Sequence, residues 1–171
     1  MRFPILTPTL ENVLWAAVGA AATRLYMPER ATNDLDILIR AQDTSEIQSR
    51  LSMGGAVKVG DLSIGGTTWR LIDGFALDVI EGSEGWVEGA LQEAQSNLDL
   101  QQMPVLPIRF LVLMKFQAGR VQDLADVARM LGQASSDDLT GVRNTFNQWL
   151  PADREDLESL ITLGQFEMQS Q

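Results

Sequence analysis

The stretch that most constrains this chain is Asp34-Leu35-Asp36-Ile37-Leu38-Ile39. It alternates at its start and finishes apolar, the pattern of a strand that enters a core. Residues two apart in a strand face the same side, so Asp34 and Asp36 aim together with Cα atoms roughly 6–7 Å apart. Two like charges that close in a half-buried strand repel each other and lose hydration unless a cation lies between them. That points to a metal. A lone D-x-D is also common at the solvated ends of ordinary strands, so its weight comes from its surroundings.

Upstream, Val13 to Val18 is apolar and ends at Gly19, which can take positive φ or admit another group closely. Ala20 to Met27 continues in good helix formers up to Pro28, predicting one short helix. Downstream, Asp43-Thr44-Ser45-Glu46 has the form of a capping box, and Ile47 and Leu51 follow at i, i+4, so residues 44 to 53 are expected to be helical. From 56 to 82 the texture is β, punctuated by Gly60, Gly65 and Gly66. Asp73-Gly74 separates Thr68–Ile72 from Phe75–Ile80 and predicts a two-residue hairpin. The second arm carries Asp78 between Leu77 and Val79. Two placements stand for it: a face opposite its apolar neighbours within the sheet, or the solvent side of an edge strand.

The remainder is helical. Val87, Ala90, Leu91 and Ala94 repeat at i, i+3, i+4, i+7. Pro104 and Pro107 bound a linker, the natural division between an α/β part (residues 1–103) and a helical C-terminal part (104–171) packed on it. Ile108 to Ala118 is apolar nearly all round and stops at Gly119. Three further helices follow, on Leu124/Val127/Ala128/Leu131, on Leu139/Val142/Phe146/Trp149/Leu150, and on Leu157/Leu160/Ile161 after Pro151. Lys115 stands in the most apolar of these helices. A buried ammonium needs an anionic partner or loses its charge. It can snorkel, bridge to Asp123 or Asp126, or meet a phosphate, with Arg120 adding a second positive charge nearby.

Composition removes whole classes of chemistry. The 171 residues include no cysteine and no histidine, which excludes disulfides, thiolate or imidazole metal sites and Ser-His-Asp triads. What remains is carboxylate, lysine, arginine, hydroxyl and oxygen-ligated metal chemistry. Thirteen basic residues against 23 acidic ones give a net charge of −10, unfavourable for general nucleic-acid binding. No apolar run reaches membrane-spanning length, and the start lacks the form of a signal peptide, so a cytoplasmic protein is expected, with no membrane partner.

Together these residues resemble the polymerase-β-like nucleotidyltransferases, and within them the small bacterial members related to abortive-infection toxins. That family carries a hydrophobic-Gly-Gly/Ser turn, then D-x-D on a strand, then a third carboxylate on a neighbouring strand. Val18-Gly19-Ala20, Asp34-Leu35-Asp36 and Asp78 within Ala76-Leu77-Asp78-Val79 are similar to those elements. Arg30-Ala31-Thr32-Asn33 fits the R-x-T-x-D-x-D form, and Leu113 to Arg120 followed by Asp123-Leu124-Ala125-Asp126 fits a later motif. Ala20 departs from the pattern, since glycine or serine is common there.

The resemblance implies an α+β nucleotidyltransferase fold, a mixed central sheet flanked by helices. It implies two Mg²⁺ ions on Asp34, Asp36 and Asp78, which would also be the catalytic residues. Nucleotide would be bound by Gly19, Ala20, Arg30, Thr32, Lys115 and Arg120. The activity implied is transfer of a nucleoside monophosphate from a nucleoside triphosphate to a hydroxyl on an RNA end, a protein or a small molecule. A toxin-like role and a cognate partner protein belong to the same set of expectations. A catalytically inactive binding or regulatory module on this fold is the alternative. A metal-dependent glycosyltransferase ranks lower, because its nucleotide-binding half precedes its D-x-D and only 33 residues precede Asp34.

Overall fold

The computed structural model describes residues 2–28 and 32–169. The chain divides into two compact units, residues 1–22 with 30–106, and residues 23–29 with 107–171.

The first unit is built on a five-stranded sheet of β1 (Trp15–Val18), β2 (Asp34–Arg40), β3 (Val57–Asp61), β4 (Gly66–Arg70) and β5 (Ala76–Gly82), in the order β1-β2-β5-β4-β3. Among these five strands, β2 and β5 pair in parallel and the other neighbours are antiparallel. β5 is therefore central, which rules out the edge-strand placement of Asp78. One face is the core: Trp15, Ala17, Leu35, Ile37, Ile39, Trp69, Leu77 and Val79 are all buried. The other face is half-buried at Asp36, Thr68, Ala76, Asp78 and Ile80. In β4 and β5 that alternation is the period-2 signature of a sheet with one dry side and one wetter side, whereas toward β1 the same face is covered too, with Ala16, Val18 and Leu38 buried.

The hairpin between β4 and β5 forms with a longer loop than expected. Leu71 N–H donates to Phe75 O, leaving Ile72-Asp73-Gly74 as a three-residue loop, with Gly74 at φ 85°. Asp73 Oδ1 accepts from Phe75 N–H at 3.0 Å, an Asx turn that holds the loop in this form.

Helix α1 (Gly19–Thr23) is shorter than the sequence predicts, giving way to turns in which Tyr26 and Met27 both donate to Thr23 O. Helix α2 (Thr44–Met53) forms as expected, burying Ile47 and Leu51. Its capping box does not: the Asp43 carboxylate is taken by Arg40, Nε to Oδ2 at 2.6 Å and a second N–H to Oδ1 at 3.1 Å. A bidentate guanidinium bond outcompetes a neutral backbone donor for the same oxygens. Helix α3 (Val87–Ala94) buries all four stripe residues. The stretch expected as a linker instead lines β1, where Val105 pairs in parallel with Ala17. The N-terminal arm buries Phe3, Leu6 and Leu10, with Phe3 edge-on to Phe75 at 5.8 Å.

The second unit contains α4 (Ile108–Ala118), α5 (Val121–Gln133), α6 (Ser136–Trp149) and α7 (Arg154–Gln169). Gly119 caps α4 in the left-handed region at φ 63°. Ser135 and Asp138 form a complete capping box on α6. α5 and α7 approach backbone to backbone at Gly132 and Gly164, where an added Cβ on Gly164 would meet the Ala128 carbonyl carbon at 2.8 Å. Phe116 packs edge-on to Phe146 at 5.2 Å, joining α4 to α6.

Candidate active site

A single row of in-register residues crosses the whole sheet: Val18, Asp36, Asp78, Thr68 and Gly60. The parallel β2–β5 pairing puts Asp36 directly beside Asp78 at ordinary strand separation, about 4.8 Å. Both residues are half-buried, on the face opposite Leu35, Ile37, Leu77 and Val79. Asp34 lies one alternation away on the same face, opposite Ala76, exposed at the first residue of β2. The three aspartates thus share adjacent strands and one face. Among the described residues, no three such groups are gathered closely enough to form a metal-ligand cluster as they stand.

Gly19 has a specific task. It follows β1 at φ 61°, and a Cβ there would overlap Asp36 Oδ2 and lie 2.8 Å from its Cγ. The backbone therefore passes directly behind the carboxylate, and only glycine satisfies both the left-handed conformation and that contact. Asp78 is held from the other side, its Oδ1 accepting from Thr68 Oγ1 at 2.7 Å. Ala20 is half-buried at the start of α1. Thr32 engages the backbone of Asp34, donating to Asp34 O at 3.3 Å and accepting from Asp34 N–H at 3.4 Å, so it steadies the entry to β2. Arg30 lies outside the described residues.

The architecture is similar to that of the antibiotic-resistance factor ANT(2'')-Ia in solution, at 15% identity and a TM-score of 0.51, over 93% of this chain and 85% of that one. It is also similar to a candidate nucleotidyltransferase of Thermotoga maritima, at 18% identity and a TM-score of 0.50, over 75% of this chain and 89% of that one. This chain has the nucleotidyltransferase fold. No family model matches it, and no curated protein matches it in sequence. Among the described residues, no helix is long and apolar enough to cross a membrane.

On this nucleotidyltransferase fold, the donor set suits Mg²⁺. Asp36 and Asp78 are carboxylates side by side and half-buried, with Asp34 on the same face; oxygen donors of this kind are the type Mg²⁺ takes. The space that Gly19 leaves is filled by the Asp36 carboxylate itself, which keeps that group on the sheet surface.

Lys115 and Arg120 belong to the second unit and are engaged there. Lys115 Nζ is 3.0 Å from Asp123 Oδ1 and 2.9 Å from Asp126 Oδ2, with its side chain only 6% exposed. This is the structural bridge among the alternatives its sequence leaves open. Asp126 also accepts from Gln122 at 3.0 Å, and Arg120 Nε reaches Asp123 Oδ2 at 2.5 Å. Burial pushes the Asp123 carboxyl up, but hydrogen bonds from Arg120 and Lys115 outweigh it and hold its pKa below the ordinary carboxylate value.

Sequence reasoning missed Thr68 and the Arg40–Asp43 pair. The signal for Thr68 lay in the hairpin register. A two-residue loop at Asp73-Gly74 would set Trp69 opposite Asp78, whereas the three-residue loop sets Thr68 there. A one-residue slip exchanges the faces.

Two outcomes are expected. Gly19→Ala should cost at least about 1–2 kcal/mol from the left-handed backbone alone, and more from the overlap with Asp36. The same change made in an Asp36→Ala background should cost less, so a double-mutant cycle by urea unfolding should show coupling; strict additivity would contradict the contact.

Lys115→Met should destabilise the protein by about 3–5 kcal/mol, because it strands buried carboxylates. Unchanged stability with weakened nucleotide binding would instead give Lys115 to a phosphate. Because the folded-state pKa of Asp123 is lowered, its contribution is fully present above the unfolded value of about 3.9. It is lost as pH falls through the lowered folded value. The stability gap between wild type and Asp123→Asn should therefore shrink in acid below about pH 4.

Proposed function

We propose that this chain is a Mg²⁺-dependent nucleotidyltransferase that moves a nucleoside monophosphate from a nucleoside triphosphate to a hydroxyl acceptor. The observation that carries the reading is the in-register Asp36–Asp78 pair on the accessible sheet face, backed by Gly19, on the nucleotidyltransferase fold. Asp36 and Asp78, with Asp34, would hold the metal. Bound there, two Mg²⁺ ions would supply Lewis-acid stabilisation of the attacking and leaving oxygens.

Asp78 receives the proton of the acceptor hydroxyl as its oxygen bonds to the α-phosphorus. The bond from that phosphorus to the β-phosphate bridging oxygen breaks, and pyrophosphate leaves with the electron pair. Gly19 and Ala20 would line the nucleotide at the turn, where Ala20 brings no hydroxyl. Thr32 fixes the backbone at which Asp34 begins. The net charge of −10 favours a small molecule or a protein over long RNA as acceptor. A toxin-like role with a cognate partner depends on which acceptor is used.

Incubation of a cell lysate with each of four α-labelled nucleoside triphosphates and Mg²⁺ tests the reading. One nucleotide should label a discrete product. Asp36→Asn and Asp78→Asn should each cut that labelling by about 10³-fold, equivalent to about 4 kcal/mol of lost transition-state stabilisation. Undiminished labelling by the variants would contradict the assignment, and nucleotide binding without transfer would leave a binding module.

A further inference from the structure

We propose that Thr68 is a positioning residue for Asp78: its hydroxyl fixes the orientation of that carboxylate for the metal. The inference rests on the metal-site reading above and deepens it. Thr68 and Asp78 are direct cross-strand neighbours of the antiparallel β4–β5 pair. Their side chains share the half-buried face, and Thr68 Oγ1 donates to Asp78 Oδ1 at 2.7 Å.

The chemistry of that bond is selective. Spending one Oδ1 lone pair on Thr68 leaves Oδ2, and the second lone pair of Oδ1, for a cation or a proton. Without the hydroxyl, an aspartate on a strand can swing about χ2, a broad torsion with no sharp minimum. Threonine is also a stiff support, since its branched Cβ limits χ1. Outer partners that orient a ligating carboxylate commonly account for 10–100-fold in metal affinity.

The neighbouring threonine provides an internal contrast. Thr67 faces the core, is 3% exposed, and its hydroxyl accepts from Trp69 Nε1 at 2.8 Å. One residue along the strand, the same side chain is turned to an acidic partner instead. On the far side of the row, Asp36 has apolar Val18 as its strand neighbour and Gly19 behind it. Gly19 thus shapes the space behind Asp36, and Thr68 holds Asp78 by a hydrogen bond.

Two pairs separate orientation from packing: Thr68 with its isostere Thr68→Val, and Thr68→Ser with Thr68→Ala, which differ by the hydroxyl alone. Mn²⁺ alone, titrated into nucleotide-free protein and followed by electron paramagnetic resonance, gives a readout independent of turnover. Melting temperature of each variant reports on folding. Affinity should follow the hydroxyl: Thr68→Ser within about threefold of wild type, Thr68→Val and Thr68→Ala weaker by 10-fold or more. Should Thr68→Val fail to fold, the serine–alanine comparison decides alone. Affinity that follows side-chain size, or is equal in all four proteins, overturns the role of Thr68 and leaves the metal site standing. Wild-type protein that binds no Mn²⁺ overturns both.

Discussion

The parallel pairing of β2 with β5 is the constraint on which the first unit depends. Every other strand contact in the sheet is antiparallel and is reached by a short local connection or at an edge. The β2–β5 pair joins strands some forty residues apart, with α2, β3 and β4 in between. What fixes its register is the dry face: Leu35, Ile37 and Ile39 from β2 lie alongside Leu77 and Val79 from β5, all essentially inaccessible to water. A slip of one residue in either strand would turn its apolar side chains off the dry face and take its aspartate into the core. Hydrophobic burial on one side of the sheet therefore places the two carboxylates on the other.

The second unit shows the opposite use of charge. Its ammonium and two carboxylates are shut away between α4 and α5, paired and hydrogen-bonded to Gln122 and Arg120. Removing any one charge leaves the rest uncompensated in a poorly hydrated place, so the network makes a strict demand on how the two helices meet. The aspartates of the sheet face stand half-open on a strand row, within reach of an added cation. The difference between those acidic groups is burial rather than residue type.

Much of this was legible in the sequence. The i, i+2 spacing of Asp34 and Asp36 fixed their common face, the helical stripes at 87–94 and 124–131 fell where α3 and α5 form, and the helix stop at Gly119 is a left-handed cap. What was not legible turned on competition between partners. Asp43 could cap α2 or take Arg40, and the stronger charged fork won. Good helix formers from Ala20 to Met27 gave only Gly19–Thr23 as helix, because short helices depend on tertiary contacts more than on propensity. The partner of Asp78 depended on a single residue of loop length. Lys115 had three outlets in the sequence, and the packing of α4 on α5 selects one by bringing Asp123 and Asp126 within 3.0 Å of its ammonium.

The central claim is that the paired aspartates are a place for metal-bound nucleotide. Thermal melting of wild type and Asp36→Asn, each with and without nucleoside triphosphate and Mg²⁺, tests it most directly. At ligand about 100 times its Kd the wild type should gain about 2.7 kcal/mol. Asp36→Asn should gain nothing from adding it. Equal stabilisation of both proteins, or none of the wild type by any of the four nucleotides at millimolar Mg²⁺, would contradict the account.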